Sequence, residues 1–245
     1  MVLKKKKVFL RVTIALLVLF TAAAVMAALM WYKIVKLNHP KGLKGADVSS
    51  YQGQTDWAVL SGKMDFVFVK ATEGSAATDE MFLHNFTGAM DSGLYTGAYH
   101  FFSFDSSGHT QAQNFINTVP RESIDMPPVV DIEYYADKIY NKPTVDEAEE
   151  ILLPLLDELE AYYGVKPVIY TTMPVYFRYV RKICGDYPLW IRSKQTEPEF
   201  ADWTFWQYDD HGELEGCCGD EKYIDFNVYC GSEEDFAEYT KPKNG

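Results

Sequence analysis

The segment Pro128-Val-Val-Asp-Ile-Glu holds a pair of side chains able to do acid–base chemistry. Successive side chains of a β-strand point to opposite faces, so Asp131 and Glu133 fall on one face and Ile132 on the other. Two carboxyls roughly 7 Å apart along a strand repel each other if both are ionised. One then keeps its proton to higher pH, as a general acid must, while its neighbour stays ionised and can stabilise developing positive charge. Hydrolysis of a glycosidic bond uses this division of labour, because its transition state resembles an oxocarbenium ion. Solvated or helix-capping acids show the same spacing, so the pair must be weighed with its surroundings.

Other apolar runs of the chain also end in ionisable or hydrogen-bonding residues. Asp47 ends the first, Glu73 follows the second, His100 lies in the third, and Tyr170, Gln207 with Tyr208, and Asp225 continue the series. Tyr51, Tyr99, Phe101, Phe102, Phe104, Tyr134, Tyr135, Trp190, Trp206 and Tyr208 lie in or beside the same segments. Aromatic faces of this kind stack on sugar rings, although about half of such residues belong to core packing. Asp47, His100, Asp131, Glu133 and Asp225 could instead ligate a divalent ion. Against that stand the five histidines, with no HxxxH or HExxH among them. There is no GxSxG elbow and no phosphate-cradling glycine loop. The expectation is a site without metal or cofactor.

The elements that must position these groups are β-rich runs alternating with helical patterns. Strands are predicted at 45–49, 66–71, 97–102, 128–133 and 167–171, and alternation of this kind implies parallel strands with crossover helices. Phe82, Phe86, Ala89 and Met90 recur at helical spacing before Gly93. Val145, Ala148, Ile151, Leu152, Leu155, Leu156 and Leu159 form a longer stripe. Thr144 with Glu147 reads as a capping box and Gly164 as the stop, while Pro154 conflicts with the stripe it interrupts. Three further strands, at 187–191, 204–208 and 223–228, are separated by segments too short or too polar for long helices. Eight strands, leaning parallel, predict a barrel with its chemistry at the C-terminal strand ends.

Charge divides the chain in two. The first 44 residues carry nine Lys or Arg and no acid, and the rest holds all 35 Asp and Glu. Residues 12–32 are uncharged, long enough to cross a bilayer as a helix, and end in Trp31 and Tyr32, as an interfacial aromatic belt would. Positive charge at the start orients residues 1–11 to the cytoplasm and the remainder outward. A cleaved signal peptide, cut after Ala27, is the alternative, and both readings export the domain. Residues 33–43 form a short tether to a single domain at 44–240. Four cysteines, Cys184, Cys217, Cys218 and Cys230, lie in the exported part and allow three disulfide pairings. The acidic surface disfavours nucleic acid.

Several segments together resemble the family 25 glycoside hydrolases, the cellosyl-type lysozymes. Gly45-Ala-Asp-Val-Ser-Ser-Tyr-Gln-Gly is similar to that family's first-strand signature. Phe68-Val-Lys-Ala-Thr-Glu-Gly, Gly97-Ala-Tyr-His-Phe-Phe, Val130-Asp-Ile-Glu, Val168-Ile-Tyr-Thr, Leu189-Trp-Ile, Phe205-Trp-Gln-Tyr and Ile224-Asp-Phe-Asn resemble its successive strands in order. The resemblance implies an α/β fold, a TIM-like barrel of the (β/α)5(β)3 type, here preceded by one transmembrane helix. It implies an N-acetylmuramidase that cuts the β-1,4 bond from N-acetylmuramic acid to N-acetylglucosamine in peptidoglycan glycan strands. Glu133 matches the proton donor, Asp131 the second catalytic carboxylate, and Asp47 and Asp225 acids of the same cleft. Glu73, His100, Tyr99, Tyr170, Trp206 and Gln207 are the further expected substrate contacts. The expected state is a monomer held at the bilayer by its N-terminal helix. A non-catalytic glycan-binding barrel and a related N-acetylhexosaminidase are the competing functions. The departures from the family pattern are that helix and a cysteine-containing insertion at 209–222.

Overall fold

A computed structural model describes residues 2–31, 40–194, 196–215, 217–218 and 222–240. It separates into two units, 1–39 and 40–245. In the first, α1 (Val2–Trp31) is one continuous helix. Its apolar stretch is Phe9–Leu29, 21 residues with mean hydropathy 2.6 and no part buried against protein. That stretch includes Arg11 and overlaps the expected uncharged run at 12–32. Tyr32 of the expected aromatic belt and residues 33–39 of the expected tether lie outside the described residues.

The second unit is built on a sheet that closes on itself. In chain order its strands are β1 (Lys44–Val48), β2 (Phe66–Glu73), β3 (Ala77–Thr78), β4 (Tyr95–Phe101), β5 (Val129–Ile132), β6 (Val168–Thr172), β7 (Leu189–Arg192), β8 (Phe205–Glu213) and β9 (Tyr223–Tyr229). β3 only extends the end of β2, and the other strands form the ring β1-β2-β4-β5-β6-β7-β8-β9, closed by pairing of β1 with both β2 and β9. Neighbours from β1 to β8 run parallel, but β9 is antiparallel to β8 and to β1. This corrects the expectation that the chemistry sits at the C-terminal end of every strand. Asp225 stands near the start of β9 and is opposite Asp47 only because β9 runs backwards.

Helices cover the outside of the parallel part. The main ones are α2 (Trp57–Ser61), α3 (Phe82–Asp91), α4 (Gly108–Thr118) and α5 (Val145–Tyr163). After β6, α6 (Met173–Val175) leads through a π-helical turn (Tyr176–Val180) into α7 (Arg181–Ile183). α8 (Glu233–Thr240) follows β9. The capping box of α5 forms as expected: Glu147 N donates to Thr144 Oγ1, and Thr144 N to the Glu147 carboxylate. Gly164 ends the helix in the left-handed conformation. Pro154 is tolerated because it sits at an exposed position, where the carbonyl its missing N–H leaves unbonded can be hydrated. One turn away, α4 crosses α5 at Gly108, where a Cβ would lie 1.9 Å from the Ile151 carbonyl oxygen, so only glycine admits this approach.

Alternation along the strands sorts the core into two layers. Outward residues, among them Val67, Val69, Val130, Ile132, Ile169 and Ile191, pack under the helices. Inward residues grade from apolar to polar along each strand: Phe66 and Phe68 precede Lys70, Val129 precedes Asp131, Trp190 precedes Arg192, and Phe205 precedes Gln207. The closed end holds Phe66, Phe205, Tyr229 and Phe236 in mutual ring contact. Gly45 makes room there, since a Cβ would meet the Phe66 ring at 2.2 Å. Above this floor Phe68 stacks on Trp190 with centroids 4.6 Å apart, and Tyr170 meets Trp190 edge-on at 4.7 Å. The barrel is therefore a filled core whose polar residues are confined to its open end.

Candidate active site

A cavity of about 340 Å³ opens at that end. Asp47 lines it from β1, Lys70 from β2, Tyr99 and Phe101 from β4, Asp131 from β5 and Glu133 from just beyond it. Tyr170 comes from β6, Trp190 and Arg192 from β7, Gln207 and Asp210 from β8, and Asp225 from β9. The 3₁₀ turn Ser50–Gln52 adds Tyr51, which is 81% exposed at the mouth. That turn is fixed by a capping box, in which Ser49 N donates to Gln52 Oε1 at 2.9 Å.

One hydrogen-bonded chain organises the floor beneath the carboxyls. Asn227 Nδ2 and Gln207 Nε2 donate to Asp47 Oδ2 at 2.8 and 2.9 Å. Trp190 Nε1 donates to Asn227 Oδ1 at 2.8 Å, and Tyr170 OH donates to Gln207 Oε1 at 3.0 Å. An indole N–H can only donate, so it fixes which end of the Asn227 amide faces Asp47. Tyr170 OH, which could donate or accept, donates to Gln207 Oε1 because Gln207 Nε2 is turned to Asp47. These aromatic residues thus stand behind two amide donors aimed at one carboxylate, and burial of the network makes each bond count.

Four cavity carboxyls hold their protons to higher pH than usual. Burial raises Asp131 well above the ordinary carboxylate range, with the nearby charges of Glu133 and Asp47 adding to it. Burial also raises Glu133, against the opposing pull of Arg192. Asp47 is raised by burial and drawn back by its bonds to Asn227 and Gln207. Asp225 is pushed up to about 9 by burial and by the charges of Asp47 and Asp210, and hydrogen-bonds Asp47. The expectation from the sequence was one raised carboxyl and one ionised neighbour. Here both members of the strand pair are raised, because desolvation acts on each. Asp131 Oδ1 is fully buried and finds no hydrogen-bond partner among the described residues.

Of the ten residues singled out from the sequence, seven line the cavity and three do not. His100 points outward, away from the cavity. Its Nδ1 accepts from Thr72 Oγ1 at 2.7 Å and its Nε2 donates to Gln111 Oε1 at 3.0 Å. Burial lowers its pKa to about 4, which keeps it neutral in this bridge. Gln111 in turn accepts from Ser103 N and donates to the Ser103 and Ser106 carbonyls, so His100 supports the loop after β4 from below. Trp206 also faces outward, with Nε1 donating to the Ser193 carbonyl. Both corrections follow from alternation: Tyr99 and Phe101 take the inward positions beside His100, and Gln207 takes the one beside Trp206. Glu73 stands exposed on the rim, bonded to Lys70 Nζ at 2.8 Å.

Residues passed over in the sequence are Lys70, Arg192, Asp210 and Asn227. Phe68-x-Lys70, Trp190-x-Arg192 and Asp225-x-Asn227 have the same period of two as Asp131-x-Glu133, and that period would have found three of them. Among the described residues no cluster of His, Cys, Asp and Glu is arranged to hold a metal ion. Cys184, Cys217 and Cys230 are free thiols, so none of the three pairings forms.

The match to a family model settles what this barrel is related to. Residues 46–217 match the family model described as glycosyl hydrolases family 25. The chain belongs to glycosyl hydrolase family 25. It is 33% identical to lysozyme M1 of Streptomyces globisporus over 78% of this chain and 69% of that one. Among solved structures, a family 25 glycosyl hydrolase from Bacillus anthracis superposes with a TM-score of 0.78 at 43% identity, covering 83% of this chain and 97% of that one. A bacterial lysozyme from Streptomyces coelicolor gives a TM-score of 0.72 at 30% identity, over 82% and 98%. This family 25 chain keeps an acidic cavity at the open end of its barrel and is a glycoside hydrolase.

A pH effect on stability follows from Asp225. Its folded pKa of about 9 lies above the unfolded value, so the native state keeps a proton that the unfolded chain loses near pH 4. The stability from the neutral form is complete in acid and is lost as pH rises through about 9. Asp225→Asn cannot ionise, so its melting temperature should fall less than that of the wild type between neutral and alkaline pH. Parallel melting curves for the two proteins over that range would contradict the assignment.

Proposed function

We propose that this enzyme is a muramidase of bacterial peptidoglycan, cutting the β-1,4 bond from N-acetylmuramic acid to N-acetylglucosamine with Glu133 as proton donor. The observation that carries the reading is the placement of Asp131 and Glu133 on one inward face, in a desolvated cavity open to a polymer. The likeness to lysozyme M1 supports the choice of substrate. Glu133 is the more accessible of the two, its side chain 26% exposed, and can reach a glycosidic oxygen at the mouth. Burial raises its pKa, the direction a general acid needs.

The role proposed for Asp131 is to orient the substrate's own acetamido group. Its unpartnered Oδ1 is a buried acceptor that an acetamido N–H can satisfy, and that bond would favour the ionised form. The acetamido oxygen can then close on the anomeric carbon as the bond to the departing sugar breaks. Glu133 gives its proton to the bridging oxygen, and afterwards takes one from the water that opens the oxazolinium. Asp47, held by Gln207 and Asn227, keeps a negative charge beneath the developing positive centre. Tyr51, Tyr99 and Phe101 offer faces for the sugar rings.

α1 is proposed to remain as a membrane anchor, with the barrel outside the cytoplasm. Its 21-residue, largely apolar stretch spans about 30 Å as a helix, close to the thickness of a hydrocarbon core. After expression of the whole chain, the protein should sediment with membranes and keep its N-terminus. Recovery of a soluble form that begins near residue 28 would show a cleaved signal instead.

Digestion of purified peptidoglycan, followed by borohydride reduction and mass analysis, tests the reaction. Reduced muramic acid ends are expected, with activity down by about 10² or more in Glu133→Gln, as for loss of a general acid. Reduced glucosamine ends would move the enzyme to another hexosaminidase specificity. Full activity in Glu133→Gln would reject the assignment of the acid.

A further inference from the structure

Glu133 has a cationic neighbour to which the scheme above gives no task. Arg192 ends β7 on the inward face, with Nη1 3.7 Å from Glu133 Oε2 and Nη2 donating to Asp210 Oδ2 at 2.7 Å. Asp210 is itself held by Lys194 Nζ, and by His211 Nδ1 at 2.7 Å. Arg192 Nε is buried without a hydrogen-bond partner among the described residues. Its two terminal nitrogens therefore stand between two carboxyls, one held also by Lys194 and His211 and one proposed to move a proton.

Resting on the muramidase reading, we infer that Arg192 is a positioning residue for proton transfer, and that Asp210 sets how much of its positive charge Glu133 feels. When the O–H bond of Glu133 breaks, the proton passes to the glycosidic oxygen, the leaving sugar departs as an alcohol, and negative charge stays on Glu133. Arg192 stabilises that carboxylate. In the second half-reaction the same carboxylate takes a proton from the attacking water. A group that must first give and then accept a proton works best when neither form is held too tightly.

Burial, and after it the charge of Asp47, favour the neutral form of Glu133, and Arg192 is the leading counterweight. The remaining groups around Glu133 come from every side of the cavity. Asp47 lies on β1, Lys70 on β2, Asp131 on β5, Tyr170 on β6, Asp210 on β8 and Asp225 on β9. Lys70 is engaged by Glu73 at 2.8 Å, whereas Arg192 places a nitrogen directly toward the Glu133 carboxylate.

The test is the pH dependence of kcat/KM for the whole enzyme on one solubilised peptidoglycan preparation. In Arg192→Met the alkaline limb should move up by about one pH unit, the scale expected for removing a unit charge this close in a partly solvated site. In Asp210→Asn it should move down, because Arg192 is then less offset. Arg192→Lys should keep the limb near that of the wild type. A purely structural role predicts lower activity at every pH with the limb in place. Unmoved limbs in both Arg192→Met and Asp210→Asn, or shifts of the same sign, would overturn the inference. If one of these two fails to fold, the direction of the other still decides it. Glu133→Gln, run in parallel, separates the cases: if it is inert while the limbs stay fixed, only the role of Arg192 fails, whereas full activity in that variant sinks the muramidase reading itself.

Discussion

Desolvation of several carboxyls in one small cavity is the constraint on which the rest of this structure depends. Asp47, Asp131, Glu133 and Asp225 face one another at the open end of the barrel, where only Lys70 and Arg192 among the described residues bring positive charge to the lining. They cannot all be ionised there without severe repulsion, so the site stores protons at neutral pH. Each further feature serves to hold that arrangement together. Two amides and the two aromatic donors behind them stabilise one defined carboxylate, Asp47. Asp225 keeps its proton and bonds to it.

The barrel is what makes such a concentration of charge tolerable. Its interior grades along every strand from aromatic rings to polar groups, so the apolar floor supplies burial energy while the polar rim carries function. Phe66 and Phe68 on β2, and Trp190 on β7, lie just below Lys70 and Arg192 on the same faces. The antiparallel return of β9 completes the site, because it sets Asp225 and Asn227 opposite Asp47 and Gln207. A parallel eighth strand with this sequence would have put those side chains toward the closed end.

Much of this was legible in the sequence, and the limits of legibility have physical causes. The carboxyl pair at Asp131 and Glu133, the cap at Thr144, the stop at Gly164 and the order of the strands all follow from local rules of period and capping. The direction of β9 does not, since it depends on closure with a strand nearly two hundred residues earlier. His100 and Trp206 were misplaced because polar or aromatic character at a strand end was given more weight than the face it occupies. Arg192 and Asn227 were missed for the same reason: each is two residues from a group already noticed, on the face that alternation assigns to the interior. The links of Trp190 to Asn227 and of Tyr170 to Gln207 join strands far apart in sequence and become visible only in three dimensions.

The stored protons are the most direct thing to measure. Infrared spectra of the enzyme with ¹³C-labelled Asp and Glu carboxyls, recorded from acid to alkaline pH, distinguish neutral carboxyls from carboxylates. The account predicts neutral-carboxyl absorption that persists at neutral pH and disappears only in the alkaline range. If every carboxyl has converted to carboxylate by about pH 5, as for solvent-exposed groups, the cavity does not hold protons and its electrostatic design is wrong.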